Sequence, residues 1–384
     1  AFAFDEDVTK RFEAYGWHTQ RIADGNDVEA IEKAIRNAQE SDRPSLIAVR
    51  THIGYGSPHK QDNASSHGSP LGAEEVKLTK QVYGWPEEPP FYIPDEALSH
   101  FREALDRGSE WENSWNEMFS QFKKENSELA EELQKNWDRA LPPDIFDNLP
   151  TWEPGNSVAT RTASGKVLNA LAAQLPTLLG GSADLGPSND TQIFGAEDFE
   201  PETPGGRNIH FGVREHAMGS ALNGMLLHGG VRVYGGTFLI FSDYMRPAIR
   251  LAALMRQPAI YIFTHDSIGL GEDGPTHQPI EQLPSLRAMP NLLVLRPADA
   301  NETREAWKVA IQSCDRPVAL ALTRQKVPTL PTDKTAGLEH GAYILEEPTQ
   351  SPNVILMASG SEVSVALEAA HQLNQQGNFT RVVS

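Results

Sequence analysis

Short apolar runs return along the second half of the chain, with helical stretches between them. Leu178–Ser182, Val231–Tyr234, Ala259–Thr264, Leu292–Leu295 and Val318–Leu322 are mostly apolar and rich in β-branched or small residues. Strands buried on both faces read this way, so residues 156–328 predict a mainly parallel sheet covered by helices on both faces. Ligands of such sheets bind at the carboxyl ends of the strands. Ala183-Asp184 follows the first run, Gly235–Phe238 the second, His265 the third and Arg324 the fifth. The pattern therefore gathers these segments at one edge.

The flanking regions differ in texture. Asp5–Trp17 reads as a helix in progress, and Asp27 as a helix cap before Val28, Ile31, Ile35 and Ala38 at helical spacing. Pro44 then leads into the buried-strand run Ser45–Val49, so residues 1–93 predict the tail of an α/β unit. Residues 94–155 are acidic and helical, rich in Trp, Glu and Lys, with Pro142-Pro143 near their end, and read as a helical connector. The sheet region extends over 156–330. Residues 337–384 begin a further α/β unit, with a strand at Val354, a helix, and a last strand at Arg381–Ser384. Because the chain opens at Ala1 without Met and stops inside that strand, both ends are expected to be cut.

Composition narrows the function classes. Of 384 residues, 39% are hydrophobic, and no apolar run approaches the length of a membrane span. Lys and Arg number 33 against 52 Asp and Glu, a net charge of −19 that repels nucleic acid and anionic membranes. A few local arginines can still bind an anionic substrate. Cys314 is the one cysteine, which excludes an internal disulfide and any thiolate zinc site. A cytoplasmic location is expected, with a plastid left open.

Three segments carry candidate chemistry. In Phe211-Gly-Val-Arg-Glu-His-Ala-Met-Gly219, Glu215 falls where a helix would start among small and apolar residues. An Arg-Glu dipeptide is usually a surface ion pair, but this setting favours an inward carboxylate. In Gly235-Gly-Thr-Phe-Leu-Ile-Phe-Ser-Asp-Tyr244, Phe238, Phe241 and Tyr244 recur three apart, as on one face of a helix. Such a stripe can be plain core, yet flat rings after a Gly-Gly pair also suit stacking on a heterocycle. His265, Asp273 and His277 share a loop with Gly269, Gly271, Gly274 and Pro275. A metal site competes for these residues, but the paired histidines of zinc helices are missing and the glycines make a poor ligand scaffold.

The order and spacing of the three segments resemble the pyrimidine-binding domain of transketolases, which use thiamine diphosphate. The resemblance implies the thiamine diphosphate-binding α/β fold. It matches Glu215 to the carboxylate that hydrogen-bonds the aminopyrimidine and so helps its amino group take the C2 proton. Phe238, Phe241 and Tyr244 would surround the cofactor ring, with Phe241 stacking and Asp184 on the thiazolium side. Arg161, Ser188, His265 and Arg324 would form a sugar-phosphate clamp, Asp273 would recognise a sugar hydroxyl, and His277 would assist proton movements. His67, in Ser66-His-Gly-Ser-Pro-Leu71, would touch the cofactor diphosphate and donor sugar; His18, His52 and His59 are read as structural.

The family implies reversible transfer of a two-carbon glycolaldehyde unit from a ketose phosphate such as xylulose 5-phosphate to ribose 5-phosphate or erythrose 4-phosphate, in the pentose phosphate or Calvin pathway. It also implies a homodimer with active sites between subunits. The Gly-Asp-Gly…Asn motif that holds Mg²⁺ or Ca²⁺ on the diphosphate is absent from the sequence, so no metal ligands are expected in this chain. The expectation is a fragment inactive alone. A dihydroxyacetone synthase with formaldehyde as acceptor and a non-catalytic or split subunit remain alternatives; an oxo-acid dehydrogenase subunit would have no use for the phosphate clamp.

Overall fold

The computed structural model describes residues 3–331, 334–335 and 337–384. Ala1, where the chain opens, lies outside them. The chain divides into two compact units, Ala1–Asn116 and Glu117–Ser384.

In the first unit, α1 (Val8–Ala14) is capped by Asp7, whose carboxylate accepts from the Lys10 N–H. The helix therefore begins inside Asp5–Trp17. β1 (His18–Ile22) pairs in parallel with β2 (Ser45–Val49) across α2 (Val28–Glu40). Asp27 caps α2 as expected, accepting from Ala30 N–H at 2.9 Å. The apolar stripe of α2 stays largely uncovered: Ala34 is buried, while Val28 and Ile35 are exposed. α3 (Ala73–Val82) completes the unit before α4 (Asp95–Glu125), within which the unit boundary falls.

The second unit continues with α5 (Ser127–Trp137), so the acidic connector is helical as its texture predicted. A short antiparallel pair, β3 (Ser157–Ala159) with β10 (Lys326–Pro328), brackets the central region. Between them run α6 (Thr160–Ala172), β4 (Leu178–Ser182), α7 (Gly186–Asn189), β5 (Asn208–His210), α8 (Glu215–His228), β6 (Arg232–Phe238), α9 (Ser242–Leu254), β7 (Ile260–Thr264), α10 (Gln282–Arg287), β8 (Leu293–Leu295), α11 (Ala300–Gln312) and β9 (Val318–Ala321). Among the described residues they form a six-stranded sheet in the order β5-β4-β6-β7-β9-β8, parallel throughout.

Side chains alternate across this sheet between two cores. Tyr234, Ile260, Ile262, Val318 and Leu320 pack with Val167, Leu168 and Trp307 of α6 and α11. Val233, Tyr261, Phe263, Ala319 and Ala321 pack with Met218, Leu222, Met245 and Ile249 of α8 and α9. Burial on both faces is why the runs carry no polar alternation. The sequence reading missed β5, which contains only one apolar residue, Ile209, and is too short to give a periodic signal. The chain ends in a smaller sheet, β11 (Ile344–Glu346), β13 (Thr380–Val383) and β12 (Val354–Met357), with α12 (Glu362–Gln375). No helix among the described residues is long and apolar enough to cross a membrane.

Candidate active site

Glu215 is the first residue of α8, where the positive end of the helix dipole favours a carboxylate. It is 8% exposed, and Thr237 on β6 donates its hydroxyl to Oε1 at 3.4 Å. Arg214 does not pair with it; the guanidinium turns back to donate to the Phe211 carbonyl at 3.1 Å. An open cavity of about 500 Å³ meets the carboxylate, lined also by Ala183, Asp184, Val213, Phe241 and Tyr244. Asp184 follows β4 with φ +63°, a left-handed conformation uncommon outside glycine.

The three aromatics do not lie on one helical face. β6 runs on through Gly235 and Gly236 to Phe238, Phe241 ends a short 3₁₀ turn, and Tyr244 lies in α9. Extended backbone through Phe238 sets its ring by the strand and not by helical spacing. The rings nonetheless form a series, with Phe238 stacked on Phe241 at 5.8 Å and Phe241 6.0 Å from Tyr244. The Gly-Gly pair serves packing: a Cβ on Gly235 would lie 2.8 Å from Leu222 Cδ1, and one on Gly236 2.7 Å from Thr191 Cγ2. These glycines bring β6 against α8 and the segment after α7.

His265 stands at the carboxyl end of β7 with φ +58°, and it is 3% exposed. Its ring lies 3.7 Å from that of Phe238, and Nδ1 shares a 2.9 Å hydrogen bond with Thr264 Oγ1. Burial pushes its pKa down to about 4; Arg161, Arg324 and His277 add to the shift and Asp273 opposes it. With Ser188, those residues are the remaining members of the expected clamp and loop. Arg161, in the first turn of α6, donates from Nη1 to the Ser188 carbonyl at 2.6 Å, while its Nε finds no partner among the described residues. Burial lowers the Arg161 pKa, Asp190 opposes this, and Arg324 adds to it. Arg324 reaches the exposed Glu272 at 3.9 Å. His277 turns its ring edge-on to Phe238 at 6.0 Å and to Phe241 at 5.3 Å.

The fold thus brings Arg161, Ser188, His265, Asp273, His277 and Arg324 to one sheet edge, and Phe241 joins them to the cavity of Glu215, Asp184 and Tyr244. His67 belongs to the first unit, where it is exposed and caps a short 3₁₀ turn, Ala64–Ser66. His52 and His59 pair with Asp62 and Glu75, and His18 with the Ser45 hydroxyl. Three buried residues escaped the sequence reading. Thr237 touches Glu215, and Thr264 bridges His265 to Asn189 Oδ1 at 3.3 Å. The available signal was a polar residue within or beside an apolar strand run.

Family models match the chain in sequence order. The transketolase thiamine diphosphate binding domain matches residues 1–142, the transketolase pyrimidine binding domain 156–329, and a transketolase-like C-terminal domain 341–384. The chain belongs to the transketolase family. It is 53% identical to a transketolase of Halalkalibacterium halodurans, covering 100% of this chain and 58% of that protein. To the transketolase of Aquifex aeolicus it is 50% identical, covering 99% of this chain and 55% of the relative. The structure of Pichia stipitis transketolase in complex with sedoheptulose 7-phosphate superposes with a TM-score of 0.92 at 43% identity, over 100% of this chain and 58% of that one. Leishmania mexicana transketolase gives 0.94 at 39% identity, over 100% and 57%. The chain therefore spans somewhat over half the length of the transketolases it matches.

The residues present fit the pyrimidine half of thiamine diphosphate: a buried carboxylate with one long hydrogen bond, on a cavity walled by aromatic rings. Among the described residues there is no group of three or more His, Cys, Asp or Glu that could hold a metal ion.

Proposed function

We propose that this chain is the pyrimidine side, with part of the diphosphate side, of an enzyme that transfers a glycolaldehyde unit from a ketose phosphate such as xylulose 5-phosphate to an aldose phosphate such as ribose 5-phosphate or erythrose 4-phosphate. Such transfer belongs to the pentose phosphate or Calvin pathway. The observation that carries this reading is the buried Glu215 on an aromatic-walled cavity, next along the same sheet edge to two arginines and His265. Thiamine diphosphate, when bound, would supply an acidic carbon that, once deprotonated, is the nucleophile toward the substrate carbonyl. Glu215 shares a proton with the pyrimidine ring nitrogen through its carboxylate, and Thr237 orients that group. Phe238, Phe241 and Tyr244 exclude water from the ring, and Asp184 contributes the opposite wall. Arg161, Arg324, Ser188 and His265 hold the phosphate, Asp273 accepts from a sugar hydroxyl, and His277 moves protons beside the rings.

His67 serves the diphosphate and donor sugar in this reading, and Mg²⁺ or Ca²⁺ would take its ligands from outside this chain. The segments 1–93, 94–155, 156–330 and 337–384 are its parts. The cavity rim carries Val213 and Tyr244, 76% and 66% exposed, which suits completion of a cytoplasmic homodimer's site by a second copy. The test is Glu215→Gln in a full-length protein carrying this chain. Exchange of the cofactor C2 proton is expected to become too slow to measure while the melting temperature holds. Near-normal exchange would overturn the assignment. Preferred transfer to formaldehyde over ribose 5-phosphate would overturn the proposed acceptor.

A further inference from the structure

The C-terminal segment places no residue among the candidate site groups, yet it is tied to them through one buried cation. Arg296 follows β8 at the sheet's far edge. Its Nε donates to Asp266 Oδ2 at 2.7 Å, with the two side chains 9% and 0% exposed. Asp266 immediately follows His265, and its other carboxylate oxygen finds no partner among the described residues. On its opposite side the same guanidinium donates to the Ser359 carbonyl at 2.9 Å and pairs with Glu362, the first residue of α12. Gly360 N–H closes the contact by donating to the Arg296 carbonyl at 2.9 Å. Gly360 has φ +64°, and a Cβ there would lie 2.7 Å from Arg296 Nε, so only glycine lets the chain come this close.

We infer that Arg296 is a positioning residue that couples the C-terminal α/β segment to phosphate recognition. It holds Asp266, and through Asp266 the backbone that presents the His265 ring, only while Ser359 and Glu362 anchor its other end. The physical reason is the cost of a lone buried charge. Burial pushes the Asp266 carboxyl up and Arg296 pulls it back, so loss of the guanidinium leaves the carboxylate to protonate or move. His265 sits one peptide away in a left-handed conformation that its surroundings must impose, and it moves with that backbone.

This inference rests on the proposed ketol transfer, and the test separates the two. Arg296→Gln and Glu362→Gln are made in a full-length protein carrying this chain, and transfer is assayed with ribose 5-phosphate and with unphosphorylated glycolaldehyde as acceptors. For Arg296→Gln, KM for ribose 5-phosphate should rise about tenfold, with kcat and the glycolaldehyde KM within about twofold. For Glu362→Gln, half exposed and outside the site, the same selective rise should be about threefold. Equal KM changes for both acceptors, or none, would overturn the coupling. If Arg296→Gln does not accumulate as folded protein, Glu362→Gln decides alone. A parent enzyme that transfers no ketol unit, while its melting curve is normal, removes the functional reading and the inference with it.

Discussion

His265 should stay neutral far below the pH at which an ordinary histidine charges. Its pKa is pushed down to about 4 from 6.5, first by burial and then by Arg161 and Arg324. At pH 7 about one molecule in a thousand would carry the proton. A shift of that size corresponds to about 3 kcal/mol, and discounting for solvent at the open sheet edge leaves about 2 kcal/mol. The unfolded chain takes up the proton near pH 6.5, whereas the folded one refuses it until about 4. The contribution to stability is therefore complete above pH 6.5 and is lost as pH falls through that window to about 4. Asp299 works the other way. Burial raises its carboxyl to about 6, so its contribution is present at low pH and is lost as pH rises through that value. The raw pH curve thus mixes opposing slopes, and His265→Gln is the control that separates them. Ring-labelled histidine NMR should show one resonance, absent from the variant, titrating near pH 4. The stability gap between parent and variant in urea should narrow as pH falls from 6.5 to 4.5. A midpoint near 6.5, or a gap that ignores pH, would refute the reasoning. Excess inorganic phosphate should draw the His265 midpoint upward, because an anion beside the ring favours its charged form.

Arg161→Ala in a full-length protein should raise KM for ribose 5-phosphate by about 10- to 100-fold, the value of a lost charge-assisted hydrogen bond, and steady-state kinetics with both acceptors would check it. Trp307→Ala should cost about 3–5 kcal/mol of stability, because it empties a fully buried site and strands the Ser164 hydroxyl that accepts the indole N–H; urea unfolding would measure it.

Much of this architecture was legible because both faces of the central sheet are buried. Unbroken apolar runs marked β4, β6, β7, β8 and β9, and carboxyl-end logic then placed Asp184, His265 and Arg324 on one side. What escaped had weak local signals. β5 owes its place to pairing with β4 and to Asn208, a buried hydrogen-bonding hub, and not to hydrophobicity. The aromatic series read as one helical face because a spacing of three fits a helix, but tertiary pairing with β7 holds residues 234–238 extended. Arg296 was invisible because its partners, Asp266 and Glu362, lie far from it in sequence and the link exists only in the fold.

The strand order has a cost in time. One face of the sheet is covered by α6 and α11, which meet where Trp307 donates to Ser164, 143 residues earlier. β9 must also insert between β7 and β8 before the sheet is continuous. During synthesis at about 5–20 residues per second, the apolar face of β4 and α6 waits roughly 7–30 s for its cover. Slower synthesis lengthens that exposure, so aggregation of the nascent chain should rise as elongation slows.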